Sequence, residues 1–264
     1  MNRHAATRHC PSRLSDYASV IDVGICFAFQ PLVDAETGQV TGHEALVRGC
    51  SGESALQIIA GVLPENLFYF DQACRLGAIR DADRAGLEGD LHLNCTEVDP
   101  DTIELALAST AEAVAASGLS PHQIVLEFSS LQRLGDPRQL AAVRAQSNRH
   151  GFRVLADNYG TGEAGLKRLA VFRPEMLKLD REVVSNVHQS PRRQAMVLGI
   201  LATCRVLGIT PIATGVEQEE EVSWLRQAGV ERFQGYFFAR PKRSEQPQVA
   251  PELLAHEALS ACAA

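Results

Sequence analysis

Along most of the chain, short apolar runs that end on a polar side chain alternate with longer stretches in which apolar positions recur every three or four residues. The short runs read as buried strands, the longer ones as helices with one apolar face. The pattern predicts strands at 25–33, 40–47, 90–94, 123–128, 152–157, 175–179, 210–213 and 231–234. Helical spacing falls between them, at 65–86, 99–117, 137–149, 163–172, 191–207 and 218–228. In 99–117, Ile103, Leu107, Val114 and several alanines build one apolar face behind the acidic turn Asp99-Pro100-Asp101, as a helix covering a sheet requires.

The first two strands are joined by Asp34 to Gly38, whose length and composition suit a hairpin, so that pair is expected to be antiparallel. Later strands are separated by helices and are expected to be parallel. Together these make an α/β fold, a single (β/α)8 TIM-like barrel with one antiparallel strand. Periodicity alone leaves an open doubly wound sheet as the alternative. The 264 residues match one closed barrel, which commonly takes about 250. The expected organisation is a flexible tail at 1–20, the barrel at 21–250 and a C-terminal helix or tail at 251–264, with no appended sensor domain.

Composition narrows the partners. With 32 acidic and 25 basic side chains the formal charge is −7, which argues against nucleic acid as a ligand, because that binding rests on clustered Lys and Arg. No apolar run approaches the roughly 20 residues of a membrane span and the N-terminus is polar, so a cytoplasmic protein with no membrane association is expected. The seven cysteines are scattered and form no C-x-x-C pair, as expected of reduced, mostly packed thiols. Cys10 sits beside His4 and His9, a grouping open to reading as a frayed tail or as a metal- or redox-responsive cluster.

The chemistry gathers at the strand ends, at Glu44, Asn94, Glu127 and Asp157. In a parallel barrel those ends converge on one face, so four oxygen-bearing side chains could surround one hard cation such as Mg²⁺ or Mn²⁺. Each alone could equally cap a helix. The motifs are Phe29-Gln30-Pro31, Glu44-Ala45-Leu46-Val47-Arg48, Leu93-Asn94-Cys95, Leu126-Glu127-Phe128, Asp157-Asn158-Tyr159-Gly160-Thr161-Gly162, Leu177-Lys178-Leu179-Asp180-Arg181, Gly215-Val216-Glu217 and Gln234-Gly235-Tyr236. In that order, over residues 26 to 242, they resemble the EAL family of cyclic di-GMP phosphodiesterases. The phrases around Glu44 and Phe70-Asp71-Gln72-Ala73-Cys74-Arg75 are closest to EAL domains attached to BLUF modules.

The resemblance implies cyclic di-GMP across the barrel mouth, two cations at its phosphate and hydrolysis to linear pGpG. It implies that Glu44, Asn94, Glu127 and Asp157 hold the first metal and that Lys178 acts with Asp157 in catalysis. Gln30, Leu46, Arg48, Asp180 and Gln234 would line the nucleotide. Glu217 would steady the Asp157–Gly162 loop, and Gly160 to Leu169 would form a homodimer contact. The chain departs from the family at three positions. Asn158 and Thr214 replace carboxylates of the second metal, and Ser130 replaces a glutamate that supports a loop. An amide and a hydroxyl are poor substitutes for carboxylates facing a dication, so the expected function is a non-hydrolytic receptor or protein-interaction regulator. A working phosphodiesterase is the alternative.

Overall fold

The first hairpin closes the barrel. The computed structural model describes residues 24–96, 102–129, 137–160 and 166–243, with Glu245, 247–250 and Leu253. Strands β1 (Ile25–Asp34) and β2 (Gln39–Gly49) pair antiparallel. Asp34 shapes their turn: its Oδ1 accepts the backbone N–H of Glu36 at 3.0 Å and of Thr37 at 2.9 Å, so a side chain supplies acceptors that the turn backbone lacks.

Helices α1 (Ala55–Ala60) and α2 (Leu67–Arg84) lead into β3 (Asp90–Asn94), α3 (Ile103–Ala115), β4 (Ile124–Phe128), α4 (Pro137–Arg149) and β5 (Arg153–Tyr159). Then come α5 (Leu166–Phe172), β6 (Met176–Leu179), α6 (Arg181–Val184), α7 (Pro191–Leu207), β7 (Thr210–Thr214), α8 (Glu219–Gln227), β8 (Arg232–Gln234) and the two-residue β9 (Lys242–Arg243). The barrel order is β2-β3-β4-β5-β6-β7-β8-β1, closed by β1 on β2. Neighbours are parallel except at β1, which opposes both β2 and β8. This is the expected barrel and excludes the open sheet. Sequence periodicity missed α1, α6 and β9 because each is too short to complete a recognisable period.

Alternation along the strands decides what the barrel encloses. Leu32, Val125, Leu155, Met176 and Ile212 form an inner apolar cluster. Two residues nearer the mouth on the same strands stand Gln30, Glu127, Asp157, Lys178 and Thr214. Alternate residues such as Leu126, Val154, Leu177 and Phe233 belong to the larger core with residues of the surrounding helices. Each fully buried side chain of this kind contributes about 1.5–3 kcal/mol, so an apolar interior supports a layer of polar groups.

The hairpin also reaches past the barrel. β2 pairs with β3 only as far as Glu44 opposite His92, whereas its pairing with β1 continues to Gly49. Near the mouth, the chain after β8 crosses the β7 loop closely. A Cβ on Gly235 would lie 2.0 Å from the Val216 carbonyl oxygen, so only glycine fits. Among the described residues no helix is long and apolar enough to cross a membrane. The expected tail at 1–20, Cys10 with His4 and His9, Asp99 to Asp101, Ser130, Thr161, Gly162 and most of 251–264 lie outside the described residues.

Candidate functional site at the barrel mouth

Lys178 organises the mouth. Flanked by Leu177 and Leu179, which belong to the outer core, it points into the barrel at 2% exposure. Its ammonium lies 2.7 Å from Glu44 Oε2 on β2 and 2.6 Å from Glu127 Oε1 on β4. The other polar ends complete a network. Gln234 Nε2 donates to the same Glu44 oxygen at 2.7 Å and to Gln30 Oε1 at 3.3 Å, and Asn94 Nδ2 donates to Glu44 Oε1 at 3.2 Å. Gln30 is itself held by the Ala239 carbonyl at 3.2 Å. Asp157 sits beside them, accepting from Ser129 Oγ at 3.2 Å.

This layer splits the proton affinities of its acids. Burial would raise Glu44, but the Lys178 charge, with hydrogen bonds from Lys178, Gln234 and Asn94, outweighs it and holds Glu44 at about 2. Glu127 has the opposite balance. Burial and the Glu44 charge push it up to about 8 despite Lys178. Asp157 rises to about 7, through burial first and then through Glu127 and Glu44, against the pull of Lys178. Burial would lower Lys178, but Glu127, Glu44 and Asp157 together hold it above its usual range. Near neutrality the mouth therefore holds a permanent ammonium and carboxylate pair, with two further acids close to titration.

Of the predicted site residues, the structure brings together Gln30, Glu44, Asn94, Glu127, Asp157, Lys178 and Gln234. A cavity of about 250 Å³ is lined by Gln30, Glu44, Asp157, Lys178 and Gln234 of this set, together with Asn158, Arg181, Thr214, Glu217 and Tyr236, while Glu127 is buried beneath it. Leu46 lies in an adjoining cavity of about 240 Å³, which shares Glu44 with the first, is also lined by Asn94 and extends between the projecting hairpin, α1 and α2. Neither Arg48 nor Asp180 borders these cavities. Arg48 Nη1 donates to the Val47 carbonyl at 2.8 Å, and the Asp180 carboxylate caps α6 through the Glu182 N–H at 2.7 Å. Glu217 is partly exposed and pairs with Arg181 of α6 at 2.9 Å.

Several contributors went unread in the sequence. His92 lies beneath Asn94 on the same face of β3, with Nδ1 2.8 Å from Glu127 Oε1; period-two alternation could have found it. Burial, then the Lys178 charge, lowers it to about 3. Asp71 and Arg75, one helical turn apart on α2 and both buried, form an ion pair. Asp71 Oδ1 accepts Thr96 N and Oγ1 at 3.2 and 2.8 Å, while Arg75 Nη1 reaches the Asn94 carbonyl at 3.3 Å. This pair anchors the chain at the end of β3. The buried Glu221 takes the N–H groups of Glu217 at 2.9 Å, Gln218 at 3.2 Å and Asn186 at 2.7 Å, closing the loop behind the mouth.

The donor set can be tested for a cation. Glu127 Oε2 is buried with no hydrogen-bond partner among the described residues, an energetic cost that a cation in the mouth would remove. Glu44, Asn94 and Asp157 add oxygens of the type a hard cation takes. As placed here, no three His, Cys, Asp or Glu side chains among the described residues converge closely enough to hold an ion; Lys178 supplies the positive charge between Glu44 and Glu127. One cation therefore fits the donors in kind, provided the carboxylates are drawn together. The side expected to hold a second offers weaker donors. Thr214 Oγ1 donates to the Leu179 carbonyl at 2.7 Å, and residue 158 offers a neutral amide from a backbone at φ 53°.

A family model described as EAL domain matches residues 20–241. The blue light- and temperature-regulated antirepressor BluF of Escherichia coli (strain K12) is 32% identical over 231 residues, covering 85% of this chain and 56% of BluF. The chain thus spans little more than half of that relative. Among solved structures, a standalone versatile EAL protein from Vibrio cholerae O395 in its c-di-GMP-bound form superposes with a TM-score of 0.82 at 34% identity, over 89% of this chain and 99% of that one. BlrP1 of Klebsiella pneumoniae, solved with calcium and cyclic di-GMP, gives a TM-score of 0.79 at 29% identity, over 92% of this chain and 60% of BlrP1.

Proposed function

Because the chain belongs to the EAL domain family, we propose that it serves cyclic di-GMP signalling as a cytoplasmic nucleotide receptor and protein-interaction module that does not hydrolyse its ligand. The observation that carries this reading is the second-metal side of the mouth, where Thr214 spends its hydroxyl hydrogen on Leu179 and Asn158 supplies an amide. Two formal charges that would attract a dication are missing, and the neighbouring Asp157 is itself held near neutrality. Solved relatives bind cyclic di-GMP with calcium or manganese, which supports the same ligand here, with Mg²⁺ or Mn²⁺ at a single site made by Glu44, Asn94, Glu127 and Asp157. A bound cation would supply Lewis-acid charge beside the phosphate.

Binding survives in this proposal because its parts are separate from the altered ones. Gln30, Gln234 and Lys178 would meet the phosphate side, and Leu46 with Val47 and Phe70 would give a base an apolar wall in the adjoining cavity. Arg48 would swing from its own backbone to reach the nucleotide, and Asp180 would act from the cap of α6. Glu217 would tie this loop to α6 through Arg181. For the output, BluF is named as an antirepressor, which supports regulation through a protein partner. A homodimer, expected through Gly160 to Leu169, is supported by exposed apolar residues, Leu166 of α5 at 58% and Leu198 and Val206 of α7 at 50% and 85% exposure.

Calorimetric titration with cyclic di-GMP in Mg²⁺, Mn²⁺ or Ca²⁺, with the linear product followed over hours, tests the proposal. Heat without product is expected. Ready turnover in Mg²⁺ or Mn²⁺ would instead establish the phosphodiesterase reading, favoured by the intact Lys178 and the unpartnered Glu127 Oε2. Neither heat nor product would leave a partner-only module.

A further inference from the structure

We propose that Cys26 and Cys50 form a reversible disulfide when the protein meets a hydroperoxide, making the projecting hairpin a redox modification site. The strand register sets up the pair. Cys26 stands opposite Arg48, and one step beyond the regular ladder the Cys50 N–H donates to the Gly24 carbonyl at 2.8 Å. Gly24 directly precedes β1 and is two residues from Cys26, so the side of the hairpin that faces Cys26 also faces Cys50. Gly24 lacks the side chain that would separate them. The Cys50 sulfur leans over it, 3.4 Å from where a Cβ would stand, and the two thiols are near enough to influence one another electrostatically.

Their surroundings divide the chemical roles. Cys50 is exposed, whereas Cys26 is buried at 9% exposure. Arg243 of β9 donates to the Cys50 carbonyl at 3.3 Å; burial raises the Cys26 thiol, and the Arg243 charge beside it offsets part of that rise. The other described cysteines are poorer first targets than the exposed Cys50, since Cys74 is only partly exposed and Cys95 and Cys204 are buried, burial pushing Cys95 to about 12 and Cys204 to about 11. Peroxide meets Cys50 first. Its sulfur attacks one peroxide oxygen, the O–O bond breaks, and sulfenic acid forms as the leaving oxygen departs as water or alcohol. Cys26 then attacks the sulfenic sulfur, forming the S–S bond and releasing water. Two thiols are oxidised and one peroxide is reduced. In the reduced protein Cys26 Sγ donates to the Arg48 carbonyl at 3.4 Å; oxidation removes that donor and ties the strands on either side of residue 48.

The test exposes the full chain to graded hydrogen peroxide, alkylates remaining thiols, and maps the digest by mass spectrometry with and without dithiothreitol. The expected product joins the Cys26 and Cys50 peptides with the loss of two hydrogens and reverts on reduction. Cys26→Ser should stop at a Cys50 sulfenic acid that dimedone traps, and Cys50→Ser should give neither species. The proposal is overturned if both thiols remain alkylatable at doses that oxidise other cysteines, or if Cys50 links to Cys10 or Cys262 instead. Should a serine variant fail to fold by thermal melting, the wild-type map alone decides.

Discussion

Restoring the two absent carboxylates is the sharpest perturbation of this mouth. In Asn158→Asp combined with Thr214→Glu, the backbone at 158 is no obstacle, because a φ of 53° admits Asp nearly as well as Asn. Replacing Thr214 removes its bond to Leu179, worth about 1 kcal/mol. The charges matter more. Asp157 already titrates at about 7 among Glu127 and Glu44. A further carboxylate about 5 Å away repels it by about 3 kcal/mol at an effective dielectric of about 20. Water in the open mouth reduces that figure. A net loss of about 2–4 kcal/mol lowers the metal-free melting temperature by roughly 5–10 °C for a domain of this size. Mn²⁺ should restore it, because a second dication then has ligands. Following linear pGpG beside the melts, the double variant should gain at least about 10²-fold in turnover, the usual scale for one electrostatic stabiliser. Metal-dependent stabilisation without product would refute the assignment of the defect to the second metal.

Other consequences follow from the same geometry. Lys178→Met leaves Glu44 and Glu127 buried without their cation, and breaking such a pair costs about 3–5 kcal/mol; chemical denaturation that shows less than 1 kcal/mol would contradict the buried network. Asp71→Asn should cost a similar amount and weaken cyclic di-GMP binding through the displaced end of β3, an effect absent if the Asp71–Arg75 pair merely fills space. His43, buried in the fold, is depressed by its burial from 6.5 to about 4. Its contribution is therefore present above pH 6.5 and lost as pH falls through 4, about 3 kcal/mol in all. His43→Gln should flatten that part of the acid limb relative to wild type, and identical acid profiles would refute it. Leu198→Glu should convert a homodimer to monomer in sedimentation while preserving the melt; a wild type that already sediments as monomer removes the α7 interface.

Much of the site was legible because alternation and strand-end placement are local properties. Lys178 between two leucines, and Glu127 two residues beyond Val125, could be aimed into the barrel from spacing alone. Arg48 and Asp180 were legible only as motif members. Their side chains turn to a neighbouring carbonyl and to the N-terminus of α6, choices made by local hydrogen bonding and solvent. The Asp71–Arg75 anchor was hidden because its helical spacing looks like that of any solvated ion pair, and only packing α2 against the end of β3 buries it.

What the chain determined by itself is the succession of strands and helices, the antiparallel first hairpin and the identity of the polar strand ends, since period, turn chemistry and residue type need no distant partner. The tertiary structure decided the rest. Closure of β1 onto β2 selected a barrel over an open sheet, because the edge of each strand finds its hydrogen-bond partner only in three dimensions. Closure also brought Glu44 and Lys178, 134 residues apart, to 2.7 Å. In that enclosure, burial and mutual charge divide chemically similar carboxylates into one ionised near 2 and two titrating near 7 and 8.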